Sequence, residues 1–268
     1  LSVLAFALII VLSSFECSKK SVAVKAAEVQ ASSHAPNAPV LKGLTANPVL
    51  RLAIAIPSGN AEQQYRKINC TLNADAINAV QKLDVYLTGA EPFSSNNLLA
   101  TINPSATKFD IPVTLDMKPG IHFIWFSIVL KNDAAIDKKI EFRCIKLTDD
   151  SGREILVKQD NSLYTKRIGV AIRKAGDDNV NTYRIPGIIQ TDKGTLIAVY
   201  DIRYNESRDL PGNIDVGMSR STDNGKSWEP MKVIMDMGAP HENNGIGDPA
   251  ILFDPVAKKI IVAALWSK

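Results

Sequence analysis

The sequence predicts an all-β protein with an amino-terminal β-sandwich, followed by a strand meander that this stretch of chain begins but does not complete. Three observations carry that expectation. Apolar residues alternate with polar ones over short runs: Leu83, Val85 and Leu87 interleave with Asp84, Tyr86 and Thr88, the period of a strand buried on one face. Clusters of Gly, Pro, Asn and Asp punctuate at short intervals, as in KPG at 118–120, KNDAAID at 131–137 and DDSG at 149–152. Only residues 73–82 read as a short helical turn.

Taken in order, residues 1–17 read as a leader. LSVLAFALIIVLSSF is almost wholly apolar and then gives way to Glu16, Cys17 and two lysines. About fifteen apolar residues suit a secretory signal rather than a membrane helix, which needs about 18 to 20. With no initiator Met and no basic segment, the first few residues are expected to be missing. Cys17 stands where a bacterial lipoprotein signal places its lipidated cysteine, although Glu16 occupies a position usually held by a small residue. The chain is therefore expected to be exported as a periplasmic, cell-surface or secreted protein, with a lipid anchor at Cys17; an ordinary cleaved signal and a buried amino-terminal helix are the alternatives. Residues 18–48, rich in Ala, Ser, Asn and Pro, read as a flexible tether.

Residues 49–160 carry the sandwich expectation, with strands at 49–56, 65–72, 82–89, 108–115, 121–131 and 139–147. The run 121–131 is apolar on both faces, as in a central strand. Cys70 and Cys144 each fall on the apolar face of an alternating segment, and both should point into a core. Residues 164–268 form a second β region whose strands follow one another through tight DKG and DNG turns. Radial meanders of about four strands are the blades of β-propellers. One full blade is expected near 183–235, with half of another after it.

Composition excludes several classes. With 46% hydrophobic and 22% charged residues the chain can bury a core. The 31 basic and 28 acidic side chains nearly balance, with no basic block or basic-aromatic stripe, so a nucleic-acid partner is not expected. His34, His122 and His241 are scattered and there is no CxxC, so a transition-metal site is not expected.

The most specific local signal is SRSTDNGKSWEP, with Ser221, Asp223, Gly225 and Trp228 at S-x-D-x-G-x-x-W. Asp223 can accept turn amides, Gly225 supplies a backbone conformation other residues resist, and Trp228 can pack the hairpin down. This matches the Asp-box, the bacterial neuraminidase repeat, which is structural and also occurs outside glycosidases. Upstream, TYRIPGIIQTDKGTLIAVYDIRYNESRDLPGNID runs into that box, and the layout over about 165–268 resembles the exo-sialidase family.

The resemblance implies a six-bladed propeller, incomplete here, in a retaining exo-sialidase that releases terminal sialic acid from glycoproteins, gangliosides or oligosaccharides. It casts Arg184 as the first arginine of the triad that grips the sugar's carboxylate, Arg203 as a second arginine lining the pocket, Asp209 as the general acid/base, and Asp248 as a pocket aspartate that contacts the sugar's ring substituents. Chemistry supplies reasons for these residue types. A guanidinium holds a carboxylate through two parallel bonds, and a proton donor at near-neutral pH needs a carboxyl with a raised pKa. Competing roles stay open. Arg203 could pair with Asp201 or Glu206, Glu206 and Asp215 compete with Asp209, and Asp248 could cap a turn. The family's Tyr/Glu nucleophile pair has no match here, since Tyr183, Tyr200 and Tyr204 fall outside its place in the order. Residues 1–268 alone are therefore expected to be inactive. The rival readings are a non-catalytic carbohydrate-binding protein with an Asp-box propeller, and a sandwich that acts alone as a carbohydrate-binding module.

Overall fold

Alternation decides the architecture, because each period-2 segment must cover its apolar face with another layer. The computed structural model describes residues 28–89, 92–238 and 244–267; the leader, Cys17 and His241 lie outside the described residues. In chain order the elements are β1 (Gln30–His34), β2 (Val40–Lys42), β3 (Asn47–Ile56), β4 (Gln63–Leu72), α1 (Ala74–Ala79), β5 (Val80–Thr88), β6 (Leu98–Ile102), β7 (Lys108–Met117) and β8 (Gly120–Leu130). They continue as β9 (Lys139–Asp149), β10 (Glu154–Gln159), β11 (Thr165–Val170), β12 (Thr182–Gln190), β13 (Leu196–Arg203), β14 (Ile214–Ser221), β15 (Lys232–Met235), β16 (Gly245–Asp254) and β17 (Lys259–Ser267).

The first eleven strands build two facing layers. One runs β10-β1-β3-β8-β5-β6; in the other β4 lies between β7 and β9, and β11 joins β9 to β2. β10 belongs to both, pairing with β9 through Glu154–Leu156 and with β1 through Val157–Gln159. Inward residues of both layers (Leu52, Ile54, Ile124 and Phe126 from one, Ile68, Ile111, Phe142 and Cys144 from the other) form one buried core. Phe126 and Phe142 meet across it with ring centroids 5.1 Å apart. β8 is central, flanked by β3 and β5, as its two apolar faces require. The short helix α1 is held to β9 by Asn73, whose side chain donates to the Lys139 carbonyl (2.9 Å) and accepts from the Glu141 amide (2.8 Å). Cys70 and Cys144 are buried, not joined by a disulfide, and directly opposite across β4 and β9. Burial, foremost, pushes the Cys70 thiol pKa up.

Two expected boundaries are corrected. Part of the tether at 18–48 is structural: β1 and β2 sit inside the layers, and the third strand already begins at Asn47. β1 earns its place by backbone pairing on both sides, while its Ala31 and Ser33 face inward. The second region does not start at 164, because β11 pairs with β9 and β2, and Tyr164 and Ile168 are buried in the first core.

Beyond β11, β12–β13–β14–β15 form a four-stranded antiparallel meander, and β16–β17 form a separate hairpin. They do not close into a ring. β13 is buried along both faces: Ala198, Tyr200 and Ile202 join a small core with Val180 and Trp228, while Val199 and Asp201 face β16.

The turn that carries Ser221, Asp223, Gly225 and Trp228 joins β14 to β15. Asp223 Oδ1 accepts from the Ser221 hydroxyl (2.8 Å) and the Ser227 amide (2.9 Å), and Oδ2 accepts from the Ser227 hydroxyl (2.5 Å). The Gly225 amide donates to Ser221 (2.9 Å), and Asn224 and Gly225 carry the turn at φ 62° and 82°, the region that favours glycine. These bonds, led by the Ser227 hydroxyl, hold the Asp223 pKa down at about 2. A carboxyl lowered on folding adds stability above its unfolded value of 3.8 and loses it as pH falls towards 2. An Asp223→Asn chain should therefore be less stable at pH 6 and converge on the wild type near pH 2, as read by thermal melts. Parallel pH profiles would remove this role.

Candidate active site

The site is built where β12, β13 and the loop after β13 meet. β12 carries a bulge: its register against β13 skips between Arg184 and Gly187, and Ile185 sits at φ 51° just before Pro186. A β-branched residue in that region is strained, and such strain concentrates at functional sites. Arg184 lies opposite Asp201 across the β12–β13 ladder, and Arg203 lies two residues further along the same face of β13.

Both arginines converge on the loop. Arg184 Nη1 and Arg203 Nη1 donate to the Ser207 carbonyl at 3.0 and 2.9 Å, and approach Asp209 Oδ1 at 3.2 and 2.6 Å. Arg203 is buried, with its side chain 1% exposed. The other edge of its guanidinium donates to Asp201 Oδ2, through Nε at 3.1 Å and Nη2 at 2.7 Å. Asp201 is equally buried, and its Oδ1 accepts the Asp248 amide at 2.8 Å. Burial pulls the Arg203 pKa down, but its bonds to Asp201 and Asp209 outweigh that and raise it. Burial raises the Asp201 pKa against the pull of Arg203.

Three of the four expected site residues therefore meet: Arg184, Arg203 and Asp209. Asp248 reaches the cluster through its main chain. It sits at φ 54° in a bulge of β16 with an exposed side chain, so it caps Asp201 as well as facing outward. Of the partners expected for Arg203, Asp201 is the one it takes, in the interior rather than at the surface, and its Nη1 also reaches Asp209. Of the rivals to Asp209, Glu206 pairs with Arg208 (2.7 Å) and Asp215 accepts from the Tyr204 hydroxyl (2.9 Å).

One expectation is corrected. Asp209 is 68% exposed, and Arg203 foremost, with Arg184, holds its pKa below the ordinary carboxylate value. The reason is electrostatic, because two guanidinium groups favour the ionised form and water covers the rest. The tyrosines stand apart. Tyr200 bonds Ser219 (2.7 Å), and Tyr183 bonds the Asp177 carbonyl (3.0 Å) and Asp178 (3.1 Å). Burial, first of all, raises the pKa of both Tyr183 and Tyr204. The residue that sequence reasoning undervalued is Asp201, whose i, i+2 spacing from Arg203 already placed both on one strand face.

Comparison with known proteins bears on this arrangement. Residues 27–152 match the family described as the N-terminal domain of BNR-repeat neuraminidase. A sialidase of Bacteroides fragilis (strain YCH46) is 41% identical over 153 residues, covering 56% of this chain and 28% of that protein. A sialidase of Paraclostridium sordellii is 31% identical over 90 residues, covering 34% of this chain and 22% of that protein. Among solved structures, the Hadza microbial sialidase Hz136 matches with a TM-score of 0.74 at 29% identity, over 88% of this chain and 51% of that one. The chain thus spans about half of that structure and under a third of those two curated relatives. Taken together, an amino-terminal segment that matches the N-terminal domain of BNR-repeat neuraminidases over residues 27–152, and a fold similar to that of a sialidase along most of the chain, make this a sialidase-related protein.

Proposed function

We propose that the whole protein carrying this chain is an exo-sialidase acting on sialylated glycans, and that β12–β15 and β16–β17 are the first blade and the start of the second in its propeller. One observation carries the reading: Arg184 and Arg203, from adjacent strands, already share a carboxylate oxygen of Asp209. A site that holds its own carboxylate this way can hold the carboxylate of a sugar acid. Arrival of that group competes for the two guanidinium groups. Asp209 is then released from them and covered by the sugar, and both changes raise its pKa towards that of a proton donor. Asp209 would protonate the departing glycosidic oxygen, Arg184 and Arg203 would orient the sugar, and Asp248 would line the pocket. The reaction, needing no metal or cofactor in this reading, is completed by groups elsewhere in the whole protein.

Export, with attachment through Cys17, belongs to the same proposal and rests on the apolar run at 1–15. A second reading, a propeller that grips acidic sugars without cleaving them, is favoured by the resting ionisation of Asp209. Hydrolysis of a fluorogenic sialoside by the whole protein separates the two. Release of sialic acid supports the enzyme; tight binding without release overturns it.

A further inference from the structure

We propose that Asp201 is the positioning residue of this site, fixing Arg203 on one side and the Asp248 turn on the other so that the Nη1 edge of Arg203 faces Asp209. The inference rests on the sialidase reading only for its purpose, because the geometry stands without it.

Asp201 is central in the ladder. Arg184 lies opposite it on β12, and Arg203 lies two residues away on the same face. Its Oδ2 takes both N–H groups on one edge of Arg203, which leaves Nη1 as the corner that reaches Ser207 and Asp209. Its Oδ1 takes the amide of Asp248, at a left-handed position where the β16 backbone needs an anchor. One buried carboxylate therefore ties the first meander to the following hairpin and sets the direction of a guanidinium. Gly247 makes this packing close: a Cβ there would lie 3.1 Å from Asp201 Oδ1. A guanidinium held along one edge cannot rotate, so its free corner is preorganised for an incoming carboxylate.

The test uses the pKa of Asp209 in the full chain, followed by carbon NMR of labelled aspartate carboxyls and assigned with an Asp209→Asn control. The charged groups around Asp209 are Arg184 and Arg203, with Glu206 and Arg208 lining the small cavity it shares. In Asp201→Asn the positioning role predicts that Arg203 swings away and the Asp209 pKa rises towards its ordinary value, as it should in Arg203→Ala. If Arg203 stayed in place, removing a nearby negative charge would lower that pKa further. A purely structural Asp201 would leave it unmoved while the melting temperature fell. Either of those outcomes overturns the proposal.

Gly247→Ala is the second variant. It displaces the carboxylate without changing charge and should produce the same upward shift, so the test survives an Asp201→Asn chain that fails to fold. In the whole protein, kcat/KM for a sialoside should fall about a hundredfold in Asp201→Asn, the scale of a misplaced binding group. A whole protein that hydrolyses no sialoside, with Asp209 shifting as expected, would remove the sialidase reading and leave the positioning role standing.

Discussion

Replacing Arg203 with alanine is expected to destabilise the folded chain by about 3–5 kcal/mol, the range for breaking a buried ion pair from one side. Asp201 would be left in the interior, 1% exposed, with only the Asp248 amide on its carboxylate. It would have to take up a proton or draw in water. Arg203→Lys should recover part of the loss, because an ammonium returns the charge but cannot bond Oδ2 through two N–H groups of one rigid fork. Apolar replacement of both residues, Asp201→Leu with Arg203→Met, should be much less costly than Arg203→Ala alone, since no charge is then stranded. Urea unfolding reads all three. A chain lacking Arg203 that unfolds at the wild-type midpoint would mean that the pair is not buried in solution.

Under the proposed exo-sialidase function, Asp209→Ala is expected to lower sialoside turnover by the whole protein about 10²–10⁴-fold, the usual share of a general acid. The side chain is largely exposed, and without it Arg203 keeps its buried bonds to Asp201, so the unfolding midpoint should stay close to the wild type's. The loss should also depend on the leaving group. An activated phenol departs with little help from a proton, so an aryl sialoside should suffer less than a natural glycoside with a sugar leaving group. Equal losses on both substrates would argue for a binding role instead, and undiminished turnover would remove Asp209 from the chemistry altogether.

Much of the fold was legible because alternation is a local property. The segments that became β3, β4, β5, β7 and β9 carry it, and the doubly apolar run at 121–131 became the central β8. β1 and β2 were not legible. QASSH has no apolar period, and VLK is too short for one. Their partners β10 and β11 lie more than a hundred residues away, and pairing at that distance leaves no mark on neighbouring residues. At the site, residue types and order gave Arg184, Arg203 and Asp209. The ionisation of Asp209 was not legible, because it depends on how closely two guanidinium groups approach, a matter of distance rather than of order. Asp248 was read by its side chain, whereas its tie to the cluster runs through an amide that every residue but proline possesses.

β1 has a mechanical consequence. It is the first described strand, and it lies between β3, antiparallel, and β10, parallel, bonded along both edges. A pull on the amino terminus along the strand axis strains those bonds together, as in shear, rather than peeling them one at a time. A protein held to a surface by its leading end would thus meet drag with its strongest loading geometry. Single-molecule stretching from residue 28 should need higher force than stretching that peels β17 from β16, a hairpin that can unzip from its open end.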